Sequence, residues 1–111
     1  MQPQPSMEAN DHDQSTGRSS RAVTVLNENG LHARPATKFV DIANRYACDV
    51  RVLRYADEMS HEIEIDGKSI MQMLTLMALP GTVLRIDAIG QDAPQAVDEL
   101  AKLVEDKFGE E

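Results

Sequence analysis

A two-layer α+β sandwich, with a mainly antiparallel four-stranded sheet covered on one face by three helices, is the fold this sequence predicts. Three observations lead to it. Four short β-branched or alternating segments each have one face to bury. Three amphipathic stretches at helical spacing can cover that face. The segments follow one another as β-α-β-β-α-β-α, which suits layers sharing a single core.

The elements read in order as follows. Residues 1–20, MQPQPSMEANDHDQSTGRSS, hold little to bury, so a disordered tail is expected there, with the domain spanning residues 21–111. Ala22-Val23-Thr24-Val25-Leu26 reads as the first strand and Asn29-Gly30 ends it. Residues 33–47 place Ala36, Phe39, Val40, Ala43 and Ala47 on one helical face. Asp49 to Tyr55 is a second strand, and Ile63 and Ile65 alternate with acidic residues in a third. Residues 69–79 form a second helix that Pro80-Gly81 stops. Leu84, Ile86 and Ala88 alternate with Arg85 and Asp87 in the last strand. The last helix starts near Asp92-Ala93-Pro94, with Asp92 as its expected cap and a stripe running to Phe108.

Composition narrows the function classes. The 111 residues suit one domain, and the apolar fraction of 41% supports a core. Eleven basic residues against nineteen acidic ones give a net charge of −8. The tail carries one Arg against three acids, a net of −2, so −6 belongs to the domain. Such a field opposes a general nucleic-acid or anionic-membrane binder. The single cysteine, Cys48, excludes an internal disulfide and a multi-cysteine zinc site. A reduced, cytoplasmic, monomeric domain is the expectation. His12, His61, Asp57-Glu58 and Glu110-Glu111 read as ordinary polar surface, and Cys48 as a small core filler.

The informative stretch is Asn29-Gly30-Leu31-His32-Ala33-Arg34-Pro35-Ala36. Proline belongs in the first turn of a helix, so His32 falls at or just before the helix start. Unpaired backbone N–H groups there make an anion site, to which Arg34 adds a permanent cation. The same helix end disfavours a charged imidazole, leaving His32 expected as a neutral nucleophile able to accept and donate a phosphoryl group. A second locus is Asp66-Gly67-Lys68-Ser69-Ile70-Met71. Ser69 reads as an N-cap, and a phosphate on the same hydroxyl would also meet free N–H groups. The helix behind it is apolar around most of its circumference: Ile70, Met71, Met73, Leu74, Leu76, Met77 and Leu79. Part of that surface is expected in solvent as a methionine-rich docking patch.

Gly30-Leu31-His32-Ala33-Arg34-Pro35-Ala36 and Lys68-Ser69-Ile70-Met71, with the apolar helix that follows, resemble the HPr family over residues 21–108. These are the histidine phosphocarriers of the bacterial phosphoenolpyruvate-dependent phosphotransferase system. The resemblance implies an open-faced β-sandwich and a carrier rather than an enzyme with turnover; no cofactor is expected, and no metal, since neither His12 nor His61 has metal-ligand spacing to another His or Cys. It implies that His32 takes phosphate on Nδ1 from phosphorylated enzyme I and passes it to an enzyme IIA component. Arg34 would bind the phosphoryl group, and Ala33, Ile70, Met71 and Leu74 would face partners. Ser69 matches the position modified by HPr kinase/phosphorylase, which implies an alternative: a regulatory module acting on a transcription regulator or metabolic enzyme. The tail, the longer Tyr55–Ile65 connection and Gly67 depart from the family pattern.

Overall fold

The computed structural model describes residues 12–13, 17–55 and 62–110. Its strands are β1 (His12–Asp13), β2 (Arg18–Thr24), β3 (Asp49–Arg54), β4 (Ile63–Asp66) and β5 (Val83–Ile89). The helices are α1 (Ala33–Ala43), α2 (Ile70–Thr75) and α3 (Ala93–Glu105), followed by a 3₁₀ turn at Lys107–Gly109. The sheet order is β1-β2-β5-β3-β4 and every pairing is antiparallel. Four strands carry the sheet, and the two-residue β1 extends its β2 edge, pairing His12 with Ser19.

Alternation decides which face is covered. Leu84, Ile86 and Ala88 of β5 are buried, as are Val50 and Val52 of β3 and Val23 of β2. Phe39 and Val40 of α1, and Val97, Leu100 and Val104 of α3, close over them. The opposite face stays polar: the Arg85 guanidinium donates to Asp87 at 2.9 Å and to Ser20 at 3.2 Å. This is the open-faced arrangement the sequence suggested.

Four boundaries differ from expectation, each for a local reason. The first strand begins at Arg18 rather than Ala22, because the polar run Arg18-Ser19-Ser20-Arg21 pairs with β5 in full register, with Ser19 wholly buried. Residues 12–13 and 18–20, assigned to the tail by composition, therefore belong to the sheet, whereas residues 1–11 lie outside the described residues. Helix α1 stops at Ala43 instead of Ala47, since the backbone N–H groups of Ala47 and Cys48 turn out to meet the Asp92 carboxylate at 2.8 and 3.0 Å. Helix α2 stops at Thr75 instead of Leu79. Its last turn tightens into i→i+3 bonds, and Met77 takes a left-handed φ of 49°. Phe108 lies past the end of α3, in a turn whose own φ is 56°.

Asp92 precedes α3 as expected but makes no side-chain cap to it. Its carboxylate instead pins the α1–β3 connection. Those hydrogen bonds, Ala47 N–H first, hold its pKa below the ordinary value. A depressed carboxylate pKa contributes stability above the unfolded-state value near 3.9, and that contribution is lost as pH falls through the folded-state value. Asp92→Ala is expected to cost about 1 kcal/mol at neutral pH. The deficit relative to the parent should shrink as pH falls below the ordinary carboxylate range, as read from urea midpoints across a pH series. Cys48, beside it, is buried, and that burial pushes its thiol up to about 11. It is the core filler the sequence suggested.

Candidate functional site

Gly30 and its neighbours set the site. Gly30 has φ +70°, and a Cβ there would lie 2.6 Å from the Ala78 carbonyl oxygen. Only glycine tolerates both conditions. The Leu31 N–H donates to that same oxygen at 2.9 Å, and the Leu31 side chain is buried. The loop is thereby fixed on the segment that follows α2.

His32 is the N-cap residue of α1, with extended backbone and no side-chain cap bond. The first helical hydrogen bond runs from Ala36 N–H to His32 O at 3.0 Å. The N–H groups of Ala33 and Arg34 have no intrahelical acceptor, and Pro35 has no N–H to satisfy. The His32 side chain is 39% exposed, so the ring is reachable. Its Nε2 is enclosed, 3.2 Å from Glu110 Oε2, at ion-pair distance without hydrogen-bond alignment. The exposed part of the side chain is therefore elsewhere than Nε2.

An open pocket of about 300 Å³ is lined by Glu28, Asn29, His32, Arg34 and Glu110. Among the described residues Arg34 makes no hydrogen bond or ion pair, in contrast to Arg21 with Asp98 or Arg45 with Glu99. A larger groove of about 550 Å³ lies along Ile42, Glu99, Lys102, Leu103, Glu105 and Asp106. It pairs carboxylates with Lys102 and has no imidazole in its lining.

Sequence reasoning missed two residues here. Glu110 is no ordinary surface charge, because the Phe108 turn returns the chain to the start of α1. Lys38 Nζ donates to Phe108 O at 2.8 Å and the Phe108 ring is fully buried, which fixes that return. Asn27 is the second. Fully buried, its Nδ2 donates to Gly30 O at 2.7 Å and to Glu110 Oε1 at 3.0 Å. An asparagine three residues before a glycine turn was the available signal for the first bond. Nothing local announces the second, which spans 83 residues.

Ser69 is the N-cap of α2, its Oγ accepting the Gln72 N–H at 3.2 Å. Gln72 Oε1 accepts in turn from Asp66 N–H at 2.9 Å, a variant of the reciprocal capping box. Gly67 has a packing reason: a Cβ would meet Val50 Cγ1 at 2.7 Å. The apolar surplus of α2 divides. Met73 and Leu76 are buried, while Leu74 is half-buried against the core. Ile70 and Met71 are exposed, as are Met77 and Leu79 just beyond the helix. Ala33 is exposed at the start of α1. His12 lies in β1, and His61 and Asp57-Glu58 fall outside the described residues.

Residues 19–106 match the family described as "PTS HPr component phosphorylation site". The chain belongs to the HPr family. Phosphocarrier protein HPr of Pseudomonas aeruginosa is 41% identical over 88 residues, covering 79% of this chain and 92% of that relative. The crystal structure of an HPr from Thermoanaerobacter tengcongensis superposes with a TM-score of 0.73 at 34% identity, covering 84% of this chain and 98% of that one. A multiphosphoryl transfer protein of Haemophilus influenzae is 36% identical over 86 residues, 17% of its own length. HPr proteins are phosphocarriers of the phosphotransferase system and carry phosphate rather than catalyse with turnover. No described helix of this HPr-family chain is long and apolar enough to cross a membrane.

Proposed function

We infer that His32 accepts a phosphoryl group from phosphorylated enzyme I and donates it to an enzyme IIA component. The observation that carries this reading is the imidazole at the N-cap of α1, reachable from solvent, in one pocket with Arg34, which has no partner among the described residues. The Nδ1 lone pair attacks phosphorus and forms the new P–N bond. The donor's P–N bond breaks as its electron pair returns to the donor imidazole. The N–H groups of Ala33 and Arg34 and the Arg34 guanidinium face the three phosphoryl oxygens, whose charge they offset. The reverse sequence delivers the group to the acceptor. Ile70, Met71 and Leu74, with Ala33 beside the ring, supply an adaptable contact surface for two different partners.

The test is mass analysis after incubation with phosphoenolpyruvate and enzyme I. One acid-labile phosphate mapping to the peptide that holds His32 is the expected result; its absence defeats the reading. Arg34→Ala is expected to slow acceptance on the order of 10²-fold, the usual effect of removing one preorganised donor to developing charge. Quench-flow with labelled enzyme I reads that rate.

Ser69 supports a second reading, in which the chain is a regulatory module. Its Oγ accepts from the helix and its own proton stays replaceable, so an HPr kinase/phosphorylase could modify it in place. Acid-stable phosphate on Ser69 after incubation with ATP and such a kinase, with none on His32 in the first experiment, favours this alternative.

A further inference from the structure

Two buried polar atoms without aligned partners lie in the same corner of the site: His32 Nε2 and Asn27 Oδ1. Between them stands Glu110, one oxygen accepting from Asn27 Nδ2 at 3.0 Å and the other 3.2 Å from Nε2. The orientation of the Asn27 amide follows from its neighbours. Its nitrogen meets two acceptors, Gly30 O and Glu110 Oε1, so a flipped amide would set oxygen against oxygen on both sides. Both Nδ2 protons are thereby committed, and Asn27 gives up a partner for its own buried oxygen to hold the carboxylate in place.

We propose that Glu110, held by Asn27, is a positioning residue that keeps the proton of the neutral His32 ring on Nε2 and so leaves the Nδ1 lone pair free to attack phosphorus. The inference rests on the phosphocarrier reading of His32 given above. A neutral imidazole has one N–H and one lone pair, and the hydrogen bond offered at one nitrogen decides which is which. A carboxylate can only accept. Facing Nε2, it selects the Nε2–H form, and the present misalignment is of the kind that tightens once substrate binds. Of the other charged groups around the pocket, Arg34 can only donate, and Glu28 is exposed on the loop before the ring.

Glutamine at position 110 separates this role from packing. Asn27 Nδ2 demands an acceptor, so the new amide oxygen must face Asn27 and its NH₂ group must face Nε2. That donor needs a lone pair on Nε2, which moves the ring proton to Nδ1 and blocks the attacking atom. Alanine leaves the ring to choose for itself. Phosphate acceptance from phosphorylated enzyme I should therefore rank wild type above Glu110→Ala above Glu110→Gln, with the glutamine variant about 10- to 100-fold slow. A packing role gives the opposite order for the two variants, because glutamine keeps the shape of the side chain.

Nitrogen-15 NMR of the neutral His32 ring provides the readout that packing does not move. Wild type should show a protonated Nε2 and a bare Nδ1, and Glu110→Gln the reverse. A proton on Nδ1 in wild type, the same tautomer in both proteins, or glutamine outperforming alanine overturns the proposal. Failure of wild type to take phosphate at all overturns the phosphocarrier reading instead, while the tautomer measurement still decides the role of Glu110.

Discussion

His32→Ala should abolish phosphate acceptance completely while leaving the fold intact. The first half follows from chemistry: no other described side chain in the pocket carries a nucleophilic nitrogen, since Arg34 has no lone pair to offer and Glu28, Asn29 and Glu110 are carboxylates or an amide. The second half follows from the local structure. His32 makes no side-chain cap to α1, so alanine removes no helix-terminal hydrogen bond. What it loses is one contact with Glu110 at a part-exposed site, which belongs with surface substitutions of about 0.5 kcal/mol. Urea unfolding should give the parental midpoint within that margin. Label from phosphoenolpyruvate and enzyme I should stay at background, and label on another residue would relocate the acceptor.

Phe108→Ala should have the largest effect on stability and reach the site as well. The ring is fully buried in the hydrophobic core. Truncating a buried phenylalanine typically costs about 3–5 kcal/mol, from lost apolar burial and from the cavity left behind. A domain of this size has only about 5–15 kcal/mol of net stability. Chemical denaturation should show the loss as a lower midpoint with an unchanged slope. The ring is also the anchor of the left-handed turn that returns Glu110 to α1. Phosphate acceptance measured where the variant is still fully folded should therefore fall toward that of Glu110→Ala. Acceptance at the full parental rate would separate the anchor from the site.

Much of this architecture was readable because it depends on local pattern. Alternation in β3, β4 and β5 and the stripes of α1 and α3 follow from side-chain period alone. The candidate pocket was legible in part because glycine, histidine, arginine and proline each have one position that suits them around a strand-to-helix junction. What escaped was set at a distance. Arg18-Ser19-Ser20 has no apolar pattern and becomes a strand because β5 offers it a partner. Asp92 looks like a helix cap and spends its carboxylate on a loop 44 and 45 residues away. Glu110 reads as one more acid near the end of the sequence, and only the two left-handed residues before Gly109 bring it to the ring. The polar residues that mattered most were those whose partners lay far along the chain.

The bond from Leu31 N–H to Ala78 O, with Gly30 pressed against the same carbonyl, joins the histidine loop to the segment bearing Met77 and Leu79. Those two surfaces cannot swing independently. On the phosphocarrier reading, a protein that gripped the exposed thioether and isobutyl groups would receive the ring at a preset bearing, with no hinge to close first. Affinity is then not diluted by a scarce binding-competent conformer. On that reading, successive handovers to differently shaped recipients would proceed from one rigid template.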